Sequence, residues 1–249
     1  MNNNITDRQQ DLLLSIIKEF IETAEAVGSI SLQSKYNLNV STATIRNEMS
    51  DLVLLGYLYQ KSLSGGRIPT TKGWRYFVDN ILSNSSSLES LSQDTKENIN
   101  ERLVKSSYAK GDLIRASINL LSQITGTAAV SLIDKDLYYS GLSELVNIPE
   151  FRNPNNLKKI LTILEDYYTL SKIMNEGNPD EDVNILIGEE TNTEEFSEYS
   201  IIFAEIRVEG DKKGYIAVIG PNRLKYNTVI SAMKYISVAL RNLLKNNYQ

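Results

Sequence analysis

The sequence predicts an α+β protein, and three features carry that expectation. Residues 6–82 alternate helical apolar periodicity with one short strand–loop–strand segment. Ser83-Asn84-Ser85-Ser86-Ser87 is a polar, low-complexity stretch of linker composition. Beyond it, helical patterns mix with an antiparallel hairpin signal, Tyr199 to Val208, Glu209 to Lys213, Gly214 to Ile219.

Each element follows from local chemistry. Thr6 is placed to cap the first helix, with Asp7 in its first turn. Leu12, Leu13, Ile16, Ile17, Phe20 and Ile21 give that helix one apolar face, and it is expected to end near Ala26-Val27-Gly28. A short helix follows Ser29, and Asn37-Leu38-Asn39 is a turn. Ser41 caps a third helix through about Leu55, with Gly56 ending it. Tyr57 to Gln60 reads as a strand and Ser62 to Gly66 as a loop. Arg67-Ile68-Pro69-Thr70 is a returning strand, confined to an edge by Pro69. Thr71 caps a fourth helix, Lys72 to about Leu82. Helix, helix, turn, helix, ribbon is the winged helix-turn-helix order. In the C-terminal part, helices are expected near 93–106 and 111–125, a strand over Thr127 to Ile133 and one helix from Asn155 to about Asn175. A buried strand over Val183 to Ile187 and an amphipathic helix after Pro221 complete it. The expected domains are 1–82, a linker over 83–92, and 93–249.

Composition narrows the function. The 249 residues hold 26 lysines and arginines against 31 acids, a net charge of −5. No cysteine is present, which excludes disulfides, thiolate nucleophiles and thiolate metal sites. No histidine is present either, which excludes Ser-His-Asp chemistry, histidine bases and histidine-ligated zinc. A carboxylate-only metal site stays open in principle. No apolar run reaches the roughly 20 residues of a membrane span, and the first residues lack a signal-peptide pattern, so the cytosol is the expected location. The acidity is uneven. Residues 29–78 carry Lys35, Arg46, Lys61, Arg67, Lys72 and Arg75 against Glu48 and Asp51, a local net charge of +4, while residues 7–28 sum to −3. A basic block in an acidic chain points toward nucleic acid, though a solvated basic surface explains it equally on charge alone.

The third helix gives that block a chemistry. With Ile45, Met49 and Leu52 buried, the opposite face presents Ala43, Thr44, Arg46, Asn47 and Ser50. Arginine can bond guanine and asparagine adenine through two hydrogen bonds, and threonine or alanine methyls can meet thymine. Ser41 and Thr42 stand at a helix N-terminus that can hold a phosphate. In the ribbon, Gly65-Gly66 would let the tip approach DNA, with Arg67 suited to a narrow minor groove and Lys61 and Lys72 to phosphates. A solvated helix face and an ordinary tight turn remain open from periodicity alone. Other residues read blandly. Gly188-Glu189-Glu190 has no second ligand cluster and suits a strand end or helix cap. Trp74, Tyr76 and Phe77 suit core packing of the fourth helix, and Glu205 and Glu209 suit solvent beside a hairpin. Tyr138-Tyr139 could line a pocket, but buried strand aromatics are commoner.

Several stretches together closely resemble the bacterial heat-inducible transcription repressor family HrcA. They are Ile5-Thr6-Asp7-Arg8-Gln9, Val27-Gly28-Ser29, Lys35-Tyr36-Asn37-Leu38, Ser41 through Met49 (STATIRNEM), Leu55-Gly56-Tyr57-Leu58 and Gly66-Arg67-Ile68-Pro69-Thr70. Looser likeness continues through Leu121 to Gly126, Tyr139 to Leu142, Pro149-Glu150-Phe151, Ile187 to Glu190 and Ala217 to Pro221. The resemblance implies a dimeric, non-enzymatic repressor that binds an inverted-repeat operator upstream of DnaK–GrpE and GroEL–GroES operons. It implies release on heat shock, with the GroEL chaperonin as modulator and no cofactor. It also implies a GAF-like domain behind the winged helix, bearing an inserted dimerising domain. Family members are longer, and the missing segment falls between Ala129-Val130 and Tyr138 to Gly141, so the GAF-like domain here is expected to be reduced and dimerisation to use the 93–125 helices or the last helix. At the wing, Ser62-Leu63-Ser64-Gly65 replaces a more polar stretch. Three other readings stay open. A winged-helix regulator could sense a small molecule through its C-terminal domain. The chain could also be a carboxylate-metal enzyme, or an interaction module with no DNA affinity.

Overall fold

The computed structural model describes residues 5–36, 40–60, 65–83, 91–133, 135–208 and 212–248. The chain divides into two compact units, Met1–Ser85 and Ser86–Gln249.

In the first unit, α1 spans Asp7–Thr23, α2 Ser29–Tyr36, α3 Thr42–Leu54, β1 Leu58–Gln60, β2 Arg67–Pro69 and α4 Thr71–Ser83. A reciprocal cap starts α1: the Thr6 hydroxyl accepts from the Gln9 amide at 3.3 Å, and the Thr6 N–H donates to Gln9 Oε1 at 3.0 Å. The helix stops at Thr23, earlier than the expected Ala26-Val27-Gly28, with Ala24 left-handed at φ 58°. The cause is tertiary. Val27 forms an antiparallel bridge with Arg67, its N–H donating to the Arg67 carbonyl at 2.9 Å and its carbonyl accepting at 2.8 Å, which requires extended backbone. The ribbon β1–β2 pairs Leu58 with Pro69 through Gln60 with Arg67. Helix α4 begins at Thr71 rather than being capped by it; the Thr70 hydroxyl accepts from the Gly73 amide at 3.2 Å. Leu12, Leu13, Ile16 and Ile17 of α1 meet Ile45 and Leu52 of α3 in a core closed by Trp74, whose ring lies 6.0 Å from Phe20. Trp74 and Phe77 are thus core residues, with Tyr76 set edge-on to Tyr57.

The second unit orders α5 (Gln93–Lys105), α6 (Lys110–Thr125), β3 (Ala128–Ile133), β4 (Asp136–Ser140), α7 (Pro154–Glu165), α8 (Tyr167–Asn175), β5 (Asn184–Ile187), β6 (Tyr199–Val208), β7 (Lys212–Pro221) and α9 (Tyr226–Tyr248). Among the described residues, five strands form one antiparallel sheet in the order β4-β3-β7-β6-β5. Ala128, Val130, Leu132, Ile201, Phe203, Ala217 and Ile219 pack with Ile160, Leu164, Leu170 and Ile173 of α7 and α8 on one face. Helices α6 and α9 cover the other face. Burial on both faces explains why β6 and β7 read as nearly unbroken apolar runs.

The single helix expected from Asn155 to Asn175 is two. Asp166 (φ −86°, ψ 86°) leaves the helical region and caps α8, accepting from the Thr169 hydroxyl at 2.6 Å and the Thr169 amide at 3.1 Å. Those bonds hold its carboxyl below the ordinary aspartate range. Tyr138 and Tyr139, expected as buried strand aromatics, stand on β4, but β4 is a sheet edge and Tyr139 is 50% exposed. The expected turns at Asn37-Leu38-Asn39 and at 209–211, the loop at Ser62-Leu63-Ser64 and linker positions 84–90 lie outside the described residues. Among the described residues, no helix is long and apolar enough to cross a membrane, and no group of three acidic residues could hold a metal ion. Glu190 instead accepts the Ile187 N–H at 2.9 Å, a local turn bond. Glu205 is paired rather than simply solvated, meeting Arg207 at 2.8 Å and Lys213 at 3.1 Å; Glu209 lies outside the described residues.

Candidate nucleic-acid interface

Helix α3 separates its faces cleanly. Ile45, Glu48, Met49 and Leu52 are buried, while Ala43, Arg46 and Asn47 are exposed and Thr42, Thr44 and Ser50 partly so. Ser41 caps the helix, its hydroxyl accepting from the Thr44 amide at 3.1 Å and lying 3.0 Å from the Thr44 hydroxyl. The Ser50 hydroxyl donates to the Arg46 carbonyl at 3.0 Å. Three of the polar side chains are therefore engaged along the helix itself. Arg46 and Asn47 differ: among the described residues, neither side chain has a hydrogen-bond partner.

Glu48 would place a negative charge beside this pair, and its inward turn prevents that. Its side chain is 8% exposed and accepts from the Arg8 guanidinium of α1. The basic block is likewise partly spent inside the unit. Lys35 bonds Glu19 at 2.7 Å and Glu22 at 2.5 Å, and those carboxylates raise its pKa above the ordinary lysine value. Arg75 lies 3.6 Å from Asp79. Lys72 donates to the Leu55 carbonyl at 2.8 Å and sits 4.2 Å from the Tyr57 ring centroid, which makes it a C-terminal clasp for α3.

What remains converges on one place. A cleft of about 420 Å³ runs between the start of α2, the face of α3 and the ribbon, and both Arg46 and Arg67 line it. Arg67 Nη1 donates to the Gly65 carbonyl at 3.1 Å, and its Nε is buried with no partner. The reason for Gly66 is structural: a Cβ there would stand 2.5 Å from the Ala26 carbonyl carbon and oxygen, so only glycine lets β2 lie against Ala26-Val27. Of the ten residues singled out from sequence, seven lie on α3 and its cap and another is Arg67 across the cleft. Ser50 is on α3 one turn beyond Arg46, Lys72 lies outside the cleft lining, and Lys61 is outside the described residues. Ile30 is a residue the sequence did not flag. It lines the same cleft and is 71% exposed, an apolar side chain left in the open at the start of α2. The Arg8–Glu48 pair was also unsignalled, since its partners lie 40 positions apart.

The chain is similar to known proteins along nearly its whole length. Residues 78–230 match the family model described as HrcA protein C terminal domain. A Carboxydothermus hydrogenoformans protein named heat-inducible transcription repressor HrcA is 26% identical over 343 residues, covering 97% of this chain and 99% of that protein. Proteins of the same name from Halalkalibacterium halodurans (27%, 98% of this chain and 99% of that protein) and Clostridioides difficile (28%, 95% and 98%) align similarly. A solved structure titled as a hypothetical protein at 2.2 Å resolution superposes with a TM-score of 0.80 at 19% identity, covering 98% of this chain and all of that one, which establishes a shared fold. The Carboxydothermus alignment runs over 343 residues against the 249 present here, so these relatives carry additional chain.

Proposed function

This chain belongs to the HrcA family, and from that premise we propose that it is a heat-inducible transcriptional repressor whose first unit works as a winged helix-turn-helix. The observation that carries the reading is the pair Arg46 and Asn47, exposed and unpartnered among the described residues, on a helix whose other face is fixed in the core. In this reading α3 enters the major groove. Arg46, Asn47, Thr44 and Ala43 meet base edges, and Ser50 meets the groove wall. Ser41 and Thr42 offer the helix N-terminus to a phosphate. Arg67, released from the Gly65 carbonyl, reaches the minor groove or a phosphate, and Lys61, with Lys72 once it leaves the Leu55 carbonyl, adds sequence-independent attraction.

One such unit reads one half-site. A homodimer on an inverted repeat, with half-sites one helical turn of ~34–36 Å or a multiple apart, supplies the full operator. The operators proposed are those of chaperone operons of the DnaK–GrpE and GroEL–GroES type. The C-terminal unit is proposed as a reduced GAF-like domain, with its boundary in the 83–92 linker. Its β3 and β4 pair directly from Ala129 with Ser140 to Ile133 with Asp136, which supports placing the missing dimerising insertion between those strands. Regulation follows from marginal stability. Domains hold only ~5–15 kcal/mol of folding free energy, so modest warming can empty the DNA-competent state, and a GroEL-type chaperonin that restores it would sense chaperone supply.

Footprinting of the full chain on promoters upstream of the organism's own chaperone genes, repeated from low to physiological salt, tests the proposal. Two protected half-sites with log affinity falling linearly in log salt are expected. Uniform, sequence-independent protection refutes the operator reading, and absence of any salt-dependent DNA affinity refutes the repressor reading.

A further inference from the structure

We propose that the C-terminal unit holds a small anion carried on an aromatic ring, such as an aromatic carboxylate or a nucleoside monophosphate, in the cleft between α5, α6 and the β4 edge. The cleft measures about 750 Å³, within the ~300–1,000 Å³ of ordinary small-molecule sites. Its distinguishing feature is that two of its lining cations, Arg102 and Arg115, are held by neutral groups, whereas Lys105 is paired with Glu101. Arg102 donates from Nη1 to Gln123 Oε1 at 2.6 Å and from Nη2 to Asn119 Oδ1 at 2.7 Å. Asn119 is held in turn by donating to the Ser140 hydroxyl at 3.3 Å. The guanidinium plane is thus fixed, yet no carboxylate pairs with it among the described residues. One turn before Asn119, Arg115 lies over the Tyr138 ring with Cζ 5.3 Å from the centroid, again without a carboxylate among the described residues.

Ordering two long cationic side chains costs rotamer freedom, and a neutral amide or ring offsets less of that than an ion pair does. A bound anion supplies the missing charge. The Arg102 fork, with donors still unused, suits a carboxylate or phosphate. Tyr138 stands beside it on an edge strand, on the sheet face that α6 covers, and its half-buried ring offers a planar ligand a stacking surface. Asp112, the acid of the lining, is exposed and opposes a second negative group, which favours ligands with a single anionic group. The site shares no residue with the DNA interface, so either reading can fail without the other.

Calorimetric titration of the full chain with benzoate and AMP tests it, with benzamide and adenosine as the uncharged counterparts and inorganic phosphate as the ringless anion. Benzoate or AMP is expected to bind with a Kd below about 1 mM and at least about tenfold tighter than its uncharged counterpart and than phosphate. Which of the two binds tells carboxylate from phosphate. Arg115→Ala, at an exposed position that the core does not need, and Arg102→Gln are each expected to weaken binding at least about tenfold, while Arg46→Ala leaves it unchanged. The proposal is overturned if neither anion binds below about 1 mM, if phosphate alone binds as well, or if binding survives Arg115→Ala.

Discussion

Removing Arg8 tests whether the inward turn of Glu48 holds the first unit together. The Glu48 side chain is 8% exposed and Arg8 is 64% exposed, so Arg8→Ala removes little packing and mainly strips a nearly buried carboxylate of its donor. Leaving such an acceptor unsatisfied costs about 1–3 kcal/mol. The figure falls below the ~3–5 kcal/mol of a fully buried pair because the arginine end is open to water and screened. A small gain opposes it, since a cation in the first turn of α1 faces the positive end of the helix dipole, an effect of about 0.3–1 kcal/mol. The net expectation is a loss of about 1–2 kcal/mol, or roughly 4–16 °C in the melting temperature of a unit this size. The chain's one tryptophan, Trp74, is buried in this unit and makes its fluorescence a local reporter of unfolding. Arg8→Ala with Glu48→Gln should recover part of the loss, because a neutral amide is cheaper to bury. A shift under about 1 °C in the single variant refutes the reasoning, showing that water already satisfies Glu48.

Other substitutions probe separate links. Arg46→Ala should cost ~1–3 kcal/mol of operator affinity and relax preference at one base position, as read by selection from randomised half-sites, with melting temperature unchanged. Gly66→Ala should cost about 1–3 kcal/mol of stability by denaturant titration, because its Cβ meets the Ala26 carbonyl backbone. Asp166→Ala should cost about 0.5–2 kcal/mol by removing the α8 cap. Because the folded carboxyl is held below its unfolded value, this stabilisation is present above about pH 4 and fades as pH falls through the folded pKa. The wild type should therefore lose its advantage over the variant in acid titrations, and a constant difference would count against the cap.

Short-range rules made much of the interface legible before any coordinates. The Thr6 cap, the Ile45-Met49-Leu52 stripe with its Arg46-Asn47 counterface, and Gly56 at φ 79° are consequences of contacts within four or five residues. The break at Asp166 was missed because the apolar period runs straight through it, and a capping bond outweighed that period.

Local pattern alone marked most of the helices, though not the division at Asp166, along with the polar face of α3 and the chemistries closed for want of histidine and cysteine. Which charges remain available was settled by contacts between elements distant in the chain. Lys35 and Lys72 count as basic in the sequence, but one is held by α1 carboxylates and the other by the Leu55 carbonyl, leaving Arg46 and Arg67 to share the cleft. Likewise Gly66 reads as loop flexibility until Ala26-Val27 lies against it. The physical reason is separation along the chain: a pairing across 40 residues, as between Arg8 and Glu48, leaves no periodic trace and exists only once the two helices meet.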